Sequence, residues 1–261
     1  MLGPRNSWPE FRTPTASFML SPRVVFLSLL LSFTALPAAD DSGFKSLFNG
    51  RDLTGWDGMK EIFSVKDGVI HAETTAANPL KKNTFLVYTA QEFGDFELRF
   101  DYKVVGGNSG VQYRSERLPD FVMKGYQSDF ENQNRFTGMF FEENGRMFMA
   151  YPGEYVTVKP LGALTPEEAA KKNKPRARLD KVKFATTEEA FSHVKDPTAW
   201  HTMTIIAKGN TFVHILDGRV MSVAVDEDAA NFRKSGLIGV QVHQGPPMTV
   251  DLKNIRIREL K

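Results

Sequence analysis

WHTMTIIAKGNTFVHILDG, residues 200–218, reads as strand, tight turn, strand and second tight turn. Its runs 201–208 and 211–216 are rich in Val, Ile, Phe and Thr, and Gly209-Asn210 stands between them. Gly and Asn tolerate the positive φ that primed hairpin turns require, so the link joins antiparallel neighbours. VKDGVI (65–70) and ILDGRV (215–220) repeat the device. Working outward, further strands are expected at 62–65, 68–72, 85–88, 96–105, 110–115, 126–131, 146–151, 237–243 and 249–260. Many short strands with hairpin links predict an all-β sandwich or barrel, and so many antiparallel links favour a sandwich over a parallel α/β sheet.

Of the 261 residues, 41% are hydrophobic and 25% charged, an ordinary globular balance with enough apolar material for one substantial core. The first 39 residues read differently. Arg23, the apolar run VVFLSLLLSFTAL and the small residues ALPAA follow the order of a secretory signal, and the run is short for a transmembrane helix. Met19 stands just upstream, so the signal is complete from there and residues 1–18 read as an extension from a misplaced start. An exported chain, periplasmic or extracellular, should therefore begin near Asp40. N-terminal sequencing checks this, and a retained Met1 would refute it.

Without Arg5, Arg12, Arg23 and Glu10 of this leader, the 33 basic and 31 acidic residues become 30 of each. A neutral mature chain argues against a nucleic-acid or anionic-membrane partner recruited by bulk charge. The absence of cysteine removes disulfides, thiolate nucleophiles and cysteine-bound metals.

LTPEEAAKKNKPRARLDKVKFATTEEAFSHVKD (164–196) breaks the strand rhythm with Lys, Ala and Glu. Thr165 is expected to cap a helix starting at Pro166, with Glu167 and Glu168 favoured in the first turn and Pro175 as its end. The segment reads either as solvated decoration or as a rim over a binding face.

Three strands carry an unusual polar set. NSGVQYRSE (108–116) puts Val111 and Tyr113 on one face and Gln112, Arg114 and Glu116 on the other. GYQSDFE (125–131) opposes Tyr126, Ser128 and Phe130 to Gln127, Asp129 and Glu131, and LIGVQVHQG (237–245) opposes Ile238, Val240 and Val242 to Gln241 and His243. A solvated sheet face produces alternation by itself. Amides, carboxylates, a guanidinium and an imidazole instead of Thr and Lys are side chains able to make directed hydrogen bonds, and such groups suit a sugar's hydroxyls. Tyr126, Phe136, Phe140 and Trp200 are candidates to cover its C–H surface.

The order of FKSLFNGRDLTGWDG, NSGVQYRSE, GYQSDF, FTG, WHTMTIIAKGNTFVHILDG and GLIGVQVHQGPPMTVDLKNIRIREL resembles the 3-keto-disaccharide hydrolase domain family over about residues 43–260. The resemblance implies a concanavalin-like jelly roll of two antiparallel sheets with a carbohydrate site. Residues 40–261 would then form a single domain interrupted at about 161–197. It also implies cleavage, by hydrolysis or elimination, of glycosides whose C3 hydroxyl is oxidised to a ketone. The chain departs from the family in its longer insertion and in FTGMFFEENGRM, which lacks the usual tyrosine.

Such chemistry needs a base, an enolate stabiliser and an acid. His243 is the candidate base or acid, since an imidazole titrates near neutrality. Arg114 is the candidate enolate partner; Asp129 and Glu116 are candidates for proton exchange or for a divalent ion. Asn108, Gln112, Gln127 and Gln241, with Tyr126 and Trp200, are the candidate substrate holders. Asp129, Glu116, Glu131 and Glu142 are the carboxylates from which an ordinary glycosidase pair would be drawn. The competing class is a non-catalytic carbohydrate-binding module, for which the same sandwich serves equally well.

Overall fold

The structure, a computed structural model, describes residues 41–261, so the expected leader lies outside the described residues. The strands are β1 (Lys45–Ser46), β2 (Trp56–Asp57), β3 (Phe63–Lys66), β4 (Val69–Thr74), β5 (Thr84–Phe93), β6 (Phe96–Val105), β7 (Asn108–Leu118) and β8 (Val122–Glu131). They continue with β9 (Phe140–Glu143), β10 (Met147–Ala150), β11 (Glu154–Lys159), β12 (Arg178–Lys183), β13 (His201–Lys208), β14 (Thr211–Leu216), β15 (Arg219–Asp226), β16 (Gly236–Val242) and β17 (Met248–Glu259). Two short helices interrupt them, α1 (Pro166–Lys171) and α2 (Thr187–Phe191).

One sheet runs β12-β11-β15-β14-β13-β6-β17-β4-β3, with β1 also on β17; the other runs β10-β9-β8-β7-β16-β5-β2. All pairings are antiparallel except β11 with β15. The result is the expected two-sheet jelly-roll sandwich. The hairpin of residues 200–218 forms as read, with Lys208 opposite Thr211. Among the described residues no helix is long and apolar enough to cross a membrane.

Aromatic rings from the two sheets interleave to make the core. Phe130 on β8 stacks on Tyr102 of β6 at 4.3 Å. Phe212 on β14 meets Tyr126 at 4.6 Å and Phe140 at 5.2 Å. Full burial of each such side chain contributes roughly 1.5–3 kcal/mol. His214, also fully buried, is pushed down to about 4 by desolvation and is therefore neutral near pH 7. Its Nε2 accepts from the Tyr113 hydroxyl at 2.8 Å.

β1, β2, β9, β11, β12 and β15 carry no strand expectation in the sequence reading. β12 is the instructive case. RLDKVK is nearly all exposed because β12 is the last strand of its sheet, and charged side chains protect such edges from further pairing. Inside the same polar segment, Thr165 does cap α1 through a capping box with Glu168, and Pro166 opens it. The helix stops before Pro175: it ends at Lys171, and Asn173 takes the left-handed conformation, φ 51°.

A bulge in β7 changes the reading of NSGVQYRSE. Tyr113 faces Tyr126 but Glu116 faces Lys124, so Arg114 and Ser115 together oppose Gly125. Arg114 sits at φ 46°. A Cβ on Gly125 would lie 2.7 Å from the Ser115 Cα, and one on Gly236 2.5 Å from the Arg114 carbonyl carbon, so both neighbouring strands need glycine beside the bulge. The extra residue takes Arg114 off the polar face. Its guanidinium is buried, donating to the carbonyls of Gly94 (2.8 Å), Gly209 (2.7 Å) and Arg233 (3.1 Å) and pairing with Asp95 at 2.8 Å.

Candidate functional site

On the outer face of the seven-stranded sheet, the residues that alternate away from the core line a cavity of about 450 Å³. β7 contributes Asn108, β8 contributes Gln127, Asp129 and Glu131, β9 contributes Phe141 and Glu143, and β16 contributes Gln241, followed by His243. That volume lies within the roughly 300–1,000 Å³ usual for small-molecule sites. The other half of the same face is closed by Met123, which packs on Phe85 and Val87.

Asp129 is the electrostatic centre. Buried among amides, its carboxyl is pushed up to about 7 by desolvation; the bonds from Gln127 and Asn108 work against that shift, and the Glu143 charge adds to it. Gln127 Nε2 donates to Oδ1 at 2.8 Å and Asn108 Nδ2 to Oδ2 at 3.3 Å. Gly110 makes this possible: a Cβ there would lie 2.8 Å from the Gln127 side chain, which occupies that space.

Glu143 is also raised by burial, against the bonds it accepts from Asn83 (3.3 Å) and Gln241 (3.2 Å) and the nearby His243 charge. His243 Nδ1 lies 2.5 Å from the Gln244 carbonyl oxygen. That contact requires Nδ1 to carry the proton, leaving the Nε2 lone pair free in the neutral ring. Glu131 organises the rim: its carboxylate accepts the backbone N–H groups of Gln133 (2.7 Å), Arg135 (2.5 Å) and Phe136 (3.3 Å). The loop so held brings Arg135 and Phe136 to the cavity.

The structure thus unites Asn108, Gln127, Asp129, Gln241 and His243, and places the other expected residues elsewhere. Arg114 is in the buried bulge described above. Glu116, half-exposed beyond that bulge, faces Arg233 at 3.5 Å. Gln112 is fully buried beside Gln127 and does not line the cavity; neither of its amide atoms has a partner among the described residues. Tyr126 points into the core, where its hydroxyl donates to Asp226 at 2.5 Å. Trp200, before β13 in the other sheet, lies under Lys253, 4.1 Å from the ring centre. Phe136 is at the cavity, while Phe140 is core.

Glu143 and Arg135 are cavity residues that the sequence reading missed, Glu143 in favour of its neighbour Glu142. Glu142 turns inward to Arg146, and only Glu143 shares the outward face with Phe141. The period of two along FFEE carries that information, but the sequence reading places no strand at 140–143. The divalent-ion expectation paired Asp129 with Glu116, and these are separated by the bulge. Among the described residues, no three His, Asp or Glu side chains converge to hold a metal ion.

The motif order seen in the sequence corresponds to a known family, described as the 3-keto-alpha-glucoside-1,2-lyase-like domain, which matches residues 43–258. The chain belongs to that family. It is a carbohydrate-acting family, consistent with a cavity walled by amides and carboxyls. Among solved structures, a putative glycosyl hydrolase from Parabacteroides distasonis ATCC 8503 has a TM-score of 0.51 at 22% identity, covering 83% of this chain and 99% of the other. A second putative glycosyl hydrolase from that organism has a TM-score of 0.51 at 20% identity, covering 84% and 94%. At these identities the likeness is one of fold. No curated protein sequence matches the chain.

Proposed function

We propose that this member of the family, exported from the cell, cleaves 3-keto-glycosides by elimination followed by hydration. One observation carries the reading: Asp129, a buried carboxyl pushed up to about 7 by desolvation, stands in one cavity with Glu143 and with an imidazole whose Nε2 is free. At neutral pH such a carboxyl gives up or holds a proton with equal ease.

A ketone at C3 acidifies the proton on C2. His243 Nε2 takes that proton, and the electron pair moves onto the C3 oxygen as an enolate, which the Arg135 guanidinium at the rim stabilises. The enolate collapses, a C1–C2 double bond forms and the C1–O bond breaks. Its electron pair leaves with the glycosidic oxygen, which is protonated by Asp129. Water then adds hydroxyl to C1 and a proton to C2, giving the free 3-keto sugar. Gln241 and Glu143 hold hydroxyls of the ring. No step passes through a metal.

The test is incubation with 4-nitrophenyl 3-keto-glucoside and, in parallel, with unoxidised 4-nitrophenyl glucoside. Nitrophenol release from the keto substrate alone is expected, with solvent deuterium entering C2, and His243→Asn should stop that exchange. Equal release from both substrates would make the protein an ordinary two-carboxylate glycosidase. Saturable binding with no release would make it a carbohydrate-binding module.

A further inference from the structure

Beside the cavity, aromatic rings continue outward past the residues that line it. Phe141 is buried at the wall, and Phe148 meets it edge-on at 5.1 Å while remaining 47% exposed. Tyr151, 37% exposed, lies nearly parallel to Phe148, with planes 15° apart and centroids at 6.0 Å. Phe136, on the loop held by Glu131, is 6.3 Å from Tyr151. The rings form a shelf whose inner members, Phe136 and Phe148, belong to the cavity and whose outer member, Tyr151, does not.

The backbone is bent to hold it there. Met147 sits at φ 70°, a conformation that side-chain-bearing residues rarely adopt, and the β9–β10 register shifts between Phe148 and Ala150. A large apolar side chain held out toward water by such a distortion is unfavourable by itself and points to a ligand that covers it.

We propose that this shelf is a subsite for the aglycone of the substrate, and that the aglycone it takes is a flat aromatic group. The inference rests on the preceding reading for the position of the sugar ring. Its chemical class follows from what borders the shelf. A second sugar would need directed partners for its hydroxyls, but Glu154 already accepts from Lys181 Nζ and from the Tyr151 N–H, each at 2.9 Å. Lys181 is in turn held over the Tyr151 ring at 5.1 Å, and the Arg135 guanidinium, over Phe136 at 5.1 Å, is the group already assigned to the C3 oxygen of the first sugar. Ring faces are what the shelf offers, and an aryl group stacks on them without losing hydrogen bonds to water. Lys181 comes from β12, so the polar segment after Pro160 borders this subsite.

Binding of unoxidised phenyl glucoside and methyl glucoside, measured by calorimetry on the full chain, tests the subsite without requiring cleavage. Phenyl glucoside should bind about fivefold to tenfold more tightly than methyl glucoside, the gain expected of one aromatic contact. Tyr151→Ala should abolish that preference, and Tyr151→Phe should keep it. Equal affinity for the two glucosides, or a preference that survives Tyr151→Ala, overturns the subsite. A phenyl preference with no nitrophenol release supports the subsite and removes the cleavage reading. Release from the keto substrate without the preference removes the subsite alone.

Discussion

Asp129→Asn is expected to lower the rate of 3-keto-glycoside cleavage by about 10²–10⁴-fold, the usual contribution of a positioned acid or base, and at the same time to stabilise the folded chain at pH 8. The second half follows from linkage. Desolvation pushes the folded-state carboxyl from 3.8 up to about 7. Between those values the folded chain keeps a proton that the unfolded chain has released, so stability falls as pH rises through the window. Above pH 7 the cost is complete, roughly 4 kcal/mol at 1.36 kcal/mol per pKa unit. Asparagine has no proton to lose and still presents an oxygen to Gln127. Its melting temperature should therefore match that of the wild type near pH 4 and exceed it by several degrees at pH 8. The wild-type rate should also fall above about pH 7, as the acid ionises. Equal melting temperatures at both pH values, or cleavage within threefold of wild type, would remove Asp129 from its role.

Arg146→Met is expected to cost about 5 kcal/mol and to leave little soluble protein. Arg146 is buried, its side chain wholly so. Its Nε donates to Glu142 at 2.5 Å, and its two terminal nitrogens grip Asp226 at 2.9 and 2.6 Å; Asp228 lies 3.6 Å away. Tyr126 donates to the same Asp226, so β8, β9 and β15 meet at one guanidinium. Burial works against its charge, but Glu142 and Asp226 overcome it and hold the group above its ordinary pKa. Methionine would leave Asp226 and Asp228 buried with no cation and Glu142 with only Arg233, 3.7 Å away, a large penalty because desolvated charge has no substitute partner. Combining it with Glu142→Gln and Asp226→Asn should recover part of the loss, and thermal melts of the single and triple variants check this. A single variant that melts within 2 °C of the wild type would show that the cluster contributes nothing.

These two residues mark where the sequence was readable and where it was not. GYQSDFE showed Asp129 on a polar face, because β8 is regular there and alternation is local. ENGRM gave no sign that Arg146 would be buried, since its partners Asp226 and Asp228 are 80 residues away or more and meet it only when the sheets pack. The same limit explains Arg114. Counting by twos along NSGVQYRSE holds to Tyr113 and fails at the next residue, where the strand bulges. Gly125 and Gly236 are visible in the sequence, but that they flank one bulge depends on strand order.

The sequence by itself determined the sandwich, the family and the half of the site carried by regular strands, Asn108, Gln127, Asp129, Gln241 and His243. Hairpin turns and period-two alternation are properties of neighbouring residues, so they can be read along the chain. Only the tertiary structure decided that Glu143 rather than Glu142 joins the site, that Arg114 and Tyr126 serve the scaffold, and that Phe148 and Tyr151 continue the cavity outward. Those outcomes depend on which strands lie side by side and on where one inserted residue shifts the pleat. Contacts between distant segments fix both.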